Sequence, residues 1–136
     1  MAGTVVTALH GLRASGAGLG PAGGTGACWI IRVDPRDGAD CVFRDAPVVA
    51  RFSGCLDPAS VSADTFRVLD DQGPLSGDLR VSPDGRVLIW TPLRPLSPDQ
   101  HHFVVASGLR DVRGREVGAH LSRFRTCGLT RQDLSG

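Results

Sequence analysis

Between residues 78 and 91, Leu79 and Val81 alternate with Asp78, Arg80 and Ser82. An apolar run then resumes over residues 87–90 after Pro83, Asp84 and Gly85. Period-two alternation broken by a Pro-Asp-Gly cluster predicts a β-hairpin. Similar runs lie on either side. Residues 28–33 (CWIIRV) predict a first strand ended by Asp34 and Pro35, followed by a loop over 36–40 and a short apolar return at Cys41, Val42 and Phe43. Residues 47–52 predict a second strand with Val48, Ala50 and Phe52 on one face. Asp57 is placed to cap a turn that has Pro58 at its first position.

Residues 65–69 predict a third strand, and the hairpin supplies the fourth and fifth. Pro92, Pro95 and Pro98 make residues 92–99 a rigid crossover rather than a strand. Residues 102–107, closed by Gly108, and residues 119–127 complete the series, with a turn over 111–115 between them. If Leu88 and Trp90 point inward, Val87 and Ile89 point outward; likewise Phe103 and Val105 oppose His102 and Val104. Outward apolar positions of this kind mark a contact with a neighbouring domain or partner.

Seven short strands in about 100 residues predict an all-β fold, a seven-stranded antiparallel Ig-like β-sandwich of Greek-key type. The domain is expected over 28–127. Residues 1–27, rich in Gly, Ala, Ser and Thr, read as a flexible low-complexity leader, and residues 128–136 as a polar, frayed tail. The leader is either a linker to another part or sequence ahead of the true start.

Composition narrows the function. A chain of 136 residues with 41% hydrophobic and 21% charged residues supports one core. A net charge of +1 argues against nucleic acid as the main partner. All 15 basic residues are arginine and tyrosine is absent, a bias expected of a GC-rich genome. No stretch reaches the roughly 20 apolar residues of a membrane span, and no secretory signal is visible.

The ordered series Val33, Pro35, Asp37, Gly38 and Ala39, then Pro47 through Ala50 with Phe52 and Ser53, then Asp57, Pro58 and Ser60, resembles the bacterial Ig-like domain of SbsA type. The match continues through Thr65, Phe66, Asp84, Gly85, Trp90, Thr91, Pro92, Leu96, Pro98, Gly108, Asp111, Gly114, Phe124 and Thr126. It covers about residues 29–127. Phe52, Trp90 and Phe124 are the expected inward anchors, Gly85, Gly108 and Gly114 the turn residues with positive φ, and Asp111 an acceptor for the turn it opens. The sequence departs from that pattern at Gly54 and Cys55. It also departs at His102, which stands where such sandwiches carry a tyrosine bonded to the corner backbone; the expectation is the same bond from an imidazole N–H.

The resemblance to a secreted, cell-surface family makes the four cysteines read as two disulfides. Strand alternation in the expected sandwich pairs Cys28 with Cys55 and Cys41 with Cys127. It implies an extracytoplasmic address: cell surface, periplasm or secreted. The implied role is a non-catalytic structural or interaction module, a rigid spacer or scaffold for a protein or cell-surface partner.

The alternative is a periplasmic copper carrier of CopC type, which shares the signature of Pro35, Gly38 and Ala39 and of Phe52 and Ser53. Its candidate ligands are His10, His101, His102 and His120. Adjacent His101 and His102 would point to opposite faces of a strand, so no metal site is assigned. Asp34, Asp37 and Asp40 share one loop and Asp70 and Asp71 another, without the spacing of an EF-hand. Ser53, His102 and Asp111 have the chemistry of a triad but lack a nucleophile-elbow motif. No catalytic residue and no cofactor is expected.

Overall fold

Alternating apolar positions become the two facing walls of a sandwich. The computed structural model describes residues 28–135; the expected leader, with His10, lies outside them. Among the described residues there are nine strands: β1 (Ile30–Asp34), β2 (Ala39–Val42), β3 (Val48–Phe52), β4 (Phe66–Asp70), β5 (Gly73–Pro74), β6 (Gly77–Val81), β7 (Val87–Pro92), β8 (His101–Ala106) and β9 (His120–Thr126). A 3-10 turn covers Pro58–Ser60, and a short helix, α1, covers Arg131–Ser135.

One sheet has the order β1-β3-β7-β6 and the other β2-β9-β8-β4-β5. Val48, Ala50 and Phe52 of β3 and Leu88 and Trp90 of β7 face Phe66 and Val68 of β4, Val104 and Ala106 of β8 and Phe124 of β9, all buried. Each fully buried aliphatic or aromatic side chain contributes about 1.5–3 kcal/mol through area removed from water. Phe52, Trp90 and Phe124 are therefore anchors, as the resemblance implies. Gly85, Gly108 and Gly114 all have positive φ. Asp57 accepts a hydrogen bond from the Ala59 amide at 3.0 Å with Pro58 beside it, the expected cap.

Two strands exceed the seven expected, β2 and β5. β5 is two residues long and pairs with the end of β4, with Leu69 opposite Pro74, so it leaves no periodic trace in the sequence. β2 is the stretch read as a short apolar return. It pairs parallel to β9, with Ala39 opposite Phe124 and Val42 opposite Thr126. The fold is thus not wholly antiparallel. The Ala39–Val42 register is irregular, and Cys41 between them has φ of 53°, in the left-handed region. A kinked four-residue strand of mixed polarity carries no alternation to read.

The proline-rich crossover is pinned by Leu96, which is buried; its amide donates to the Arg44 carbonyl at 2.7 Å, and its carbonyl accepts from Arg44 Nε at 2.6 Å. Past β9, the Leu129 carbonyl accepts from the Arg44 amide at 2.9 Å and the Arg131 amide donates to Asp45 Oδ1 at 2.8 Å. The chain beyond residue 127 is therefore laid against the β2–β3 connection before α1.

Candidate functional site

Among the described residues Asp111 is the buried acid, 3% exposed. Its Oδ1 accepts from the Arg113 amide at 2.9 Å and the Arg115 amide at 3.0 Å, and Oδ2 pairs with Arg115 Nε at 3.1 Å. Burial alone would raise its pKa. The Arg115 and Arg113 amides, the Arg115 charge and the Cys28 amide outweigh that and hold the carboxyl below its usual range. The Asp111 carboxylate thus closes the turn it opens, as expected for a loop anchor, and also holds the Cys28 amide.

Ser53 sits at the same end of the sandwich, its Oγ accepting from the Trp29 amide at 2.9 Å. His102 is elsewhere. It lies at the start of β8, whereas Asp111 follows that strand's far end. Ser53, His102 and Asp111 are therefore not brought together.

His102 is fully buried and stacks on Phe124, with centroids 5.4 Å apart and planes 12° from parallel. Its Nδ1 donates to the Gln100 carbonyl at 3.1 Å, the backbone bond expected at this position. Nε2 then carries the lone pair and meets no protein hydrogen-bond partner. Burial pushes its pKa down, against the Gln100 bond. His101, on the opposite face, is exposed. His120 pairs in register with Ala106, five positions along β8, so it stands about 17 Å from His101 at the usual strand rise. Its Nε2 lies 2.9 Å from Ser122 Oγ. The three described histidines do not converge.

The loop carboxylates are likewise separately engaged. Asp34 pairs with Arg32 Nε at 2.9 Å, Asp37 Oδ1 accepts from the Arg123 amide at 2.9 Å, and Asp40 pairs with Arg125 at 3.2 Å. The Arg125 bond, with the Cys41 amide, holds the Asp40 carboxyl low. Asp70 accepts from the Gln72 amide at 2.8 Å. Among the described residues, no group of three or more His, Cys, Asp or Glu side chains is arranged to hold a metal.

Cys41 and Cys127 form a disulfide, with Cα atoms 4.3 Å apart. The other expected bridge is absent: Cys28 and Cys55 are both free thiols. Cys28 packs directly on Gly54, whose backbone engages its thiol. Burial first, then the charge of Asp111, raises the Cys28 pKa and keeps it a thiol. Strand alternation brought the right segments to the same end, near enough for Cys55 to act on the Cys28 thiol electrostatically, but the two are not bonded.

The outward apolar positions Phe103 and Val105 were expected; what the sequence reading missed is the arginines that share the outer face of the second sheet with them. In register, Leu69, Phe103 and Arg123 form one row across β4, β8 and β9, Arg67, Val105 and Leu121 the next, and His101 sits beside Arg125. Val105, expected to point outward, does so yet is only 5% exposed, while Phe103 is half-buried. Val87 and Ile89 lie on the outer face of the first sheet, also half-buried. Beside the basic end of the second face, Gly38, Asp40, His101, Arg123 and Arg125 line an open cleft of about 210 Å³. Arg125 reaches Asp40 and, at 3.4 Å, Asp99. The signal for this face was present: Arg123 and Arg125 are two apart on one strand, so they share a side. Guanidinium groups beside apolar surface suit an anionic group on an apolar stem.

No protein-family model matches the sequence, and no curated protein matches it by sequence. Solved structures do match by fold. Surface layer protein SbsC, domains 1–6, superposes with a TM-score of 0.58 at 19% identity over 76% of this chain and 14% of that one. CopC from Methylosinus trichosporium OB3b gives 0.61 at 17% identity, over 74% of this chain and 93% of CopC. The L,D-transpeptidase from Mycobacterium smegmatis gives 0.53 at 20% identity, over 74% of this chain and 40% of the enzyme. The described β-sandwich is thus shared with one part of the surface-layer protein and of the transpeptidase and with nearly all of CopC. The chain spans a small fraction of the surface-layer protein's length.

Proposed function

We propose that this chain is a non-catalytic structural and interaction module of SbsA Ig-like type, working outside the cytoplasm as a rigid spacer or binding scaffold. The observation that carries this reading is how the polar candidates are used. Ser53, Asp57, Asp111 and the Nδ1 of His102 each hold backbone at a turn or corner, which stiffens the ends of the sandwich. The likeness to a surface-layer protein and the Cys41–Cys127 bridge support an extracytoplasmic address. The test is fractionation of the native host with thiol alkylation before lysis. Recovery in the envelope or medium with Cys41 and Cys127 oxidised is the expected result; a cytoplasmic protein with four reduced thiols overturns the reading.

The copper carrier is the second reading, favoured by coverage of 93% of CopC. The placement of His101, His102 and His120 weighs against it. A copper titration separates the two: a stoichiometric complex abolished by substituting His101 or His120 supports the carrier, and heat-silent titration supports the module.

A further inference from the structure

Each sheet has two edge strands, and three of the four are closed to a further strand. β1 shifts register at Ile31 and runs into Pro35. β2 is irregular about Cys41, whose φ is 53°. β5 is two residues long, and one of them is Pro74, which has no N–H. Bulges, short strands and prolines are how sheets avoid pairing edge to edge. β6 has none of these. All five of its residues pair with β7 in unbroken register, and among the described residues no strand pairs with its other side.

The hydrogen-bonding direction along β6 follows from its two ends. The Leu93 amide donates to the Ser76 carbonyl at 3.1 Å, and the Ser82 amide to the Val87 carbonyl at 2.9 Å. Hydrogen-bonded pairs alternate in an antiparallel ladder, so Asp78 and Arg80 also turn their N–H and C=O groups to β7. Gly77, Leu79 and Val81 turn theirs outward, to the open edge. The side chains of Asp78 and Arg80 lie on the outer face, exposed and paired with each other at 2.7 Å. Leu79 and Val81 are half-buried and pack against the core.

We infer that β6 is the interface of a symmetric dimer, in which β6 of a second copy pairs antiparallel to it about Leu79. That register is self-complementary. Leu79 stands opposite the partner's Leu79, and Gly77 and Val81 stand opposite the partner's Val81 and Gly77. The outward groups then bond at all of these positions, about six bonds in all. On the outer face Asp78 stands opposite the partner's Arg80, and Arg80 opposite the partner's Asp78, pairs of opposite sign. Sliding by two residues sets Asp78 against Asp78 or Arg80 against Arg80, and sliding by one turns the two outer faces to opposite sides. The within-strand Arg80–Asp78 pair is exposed, so exchanging it for the cross-strand pairs costs little. Charge thus sets register and symmetry, while the backbone bonds and the covering of Leu79 and Val81 supply affinity. The dimer goes beyond the module reading and is independent of it, since it uses one sheet edge that a spacer and a copper carrier would share.

The test is sedimentation equilibrium of the full chain, in a C55S background that removes the more accessible free thiol. Loading runs up to about 1 mM, where even a weak dimer registers. A monomer–dimer equilibrium is expected. D78R or R80D alone sets like charges opposite each other and should weaken it at least tenfold with an unchanged melting temperature. An equimolar mixture of the D78R and R80D chains should recover the native affinity, because every cross-strand pair is again of opposite sign. The doubly exchanged chain D78R/R80D, whose net charge is unchanged, should recover it as well. A monomer at every concentration, a dimer that either single substitution leaves intact, or a mixture or doubly exchanged chain that fails to recover the dimer overturns the inference.

Discussion

A Cβ at Gly77 would overlap the Trp90 indole, at its Cε2 and Nε1 atoms. Trp90 pairs in register with Leu79, so its ring leans diagonally along β6 and lies over the bare backbone two residues away. Gly77 needs no positive φ here; what it supplies is room. Trp90 is 2% exposed and packed between sheets, so it has nowhere to retreat. Gly77→Ala is expected to destabilise the domain by about 3 kcal/mol through overpacking. Thermal melting checks this, together with the Trp90 emission maximum in a W29F background, which should shift to the red.

The Cys41–Cys127 bridge closes a span of 86 residues and ties β2, at the sheet edge, to β9. Replacing both cysteines by serine should lower stability by about 2–4 kcal/mol in urea. Amide exchange should show β2 opening first, because four residues of irregular parallel pairing hold it otherwise.

Asp111 provides an acid-sensitive anchor. Its folded pKa is depressed, so the stability it contributes is present above the unfolded value near 3.9 and lost as pH falls through the folded value. Asp111→Ala should cost about 2–3 kcal/mol by leaving the Arg113 and Arg115 amides without their acceptor. Unfolding midpoints from pH 7 to pH 2 should show a shallower acid slope in the variant.

His102 acts in a higher window. Burial lowers its pKa, so its neutral form is favoured in the fold and stability is lost as pH falls below the unfolded value near 6.5. His120 is shifted in the same direction by burial. Asp70 and Asp71 favour the charged His102 and His101 opposes it, so the carboxylates moderate the loss without removing it. Melting temperatures measured from pH 8 to pH 5 should decline, and His102→Phe, which keeps the stack on Phe124, should flatten part of that decline.

Cys28 is 7% exposed and held as a thiol by burial and by Asp111. Under native conditions at pH 8, alkylation should reach Cys55, which is half-buried, at least tenfold faster than Cys28. Peptide mapping after timed iodoacetamide treatment checks the order; equal rates would show that the N-terminal strand opens freely.

Much of this protein is dictated locally and is legible in the chain. Period two placed Phe52, Leu88, Trp90 and Val104 inward, and the resemblance added Phe124. The prolines of the crossover, the glycines of three turns, the Asp57 cap and the Asp111 turn follow from the conformational limits of those residue types. His102 was expected at a corner from the resemblance, and its bond does reach the backbone two residues back. Other features depend on which strands meet, and in what register. Nothing local in residues 39–42 says that they run parallel to β9, and nothing around Gly77 says that an indole lies over it. Cys28 and Cys55 were placed at one end by alternation, but a bond also needs side chains aimed at each other, which strand order alone does not set. Arg67 and Arg123 share one face only because β4, β8 and β9 stand in that order. Local pattern sets which way a side chain points; tertiary register sets what it meets.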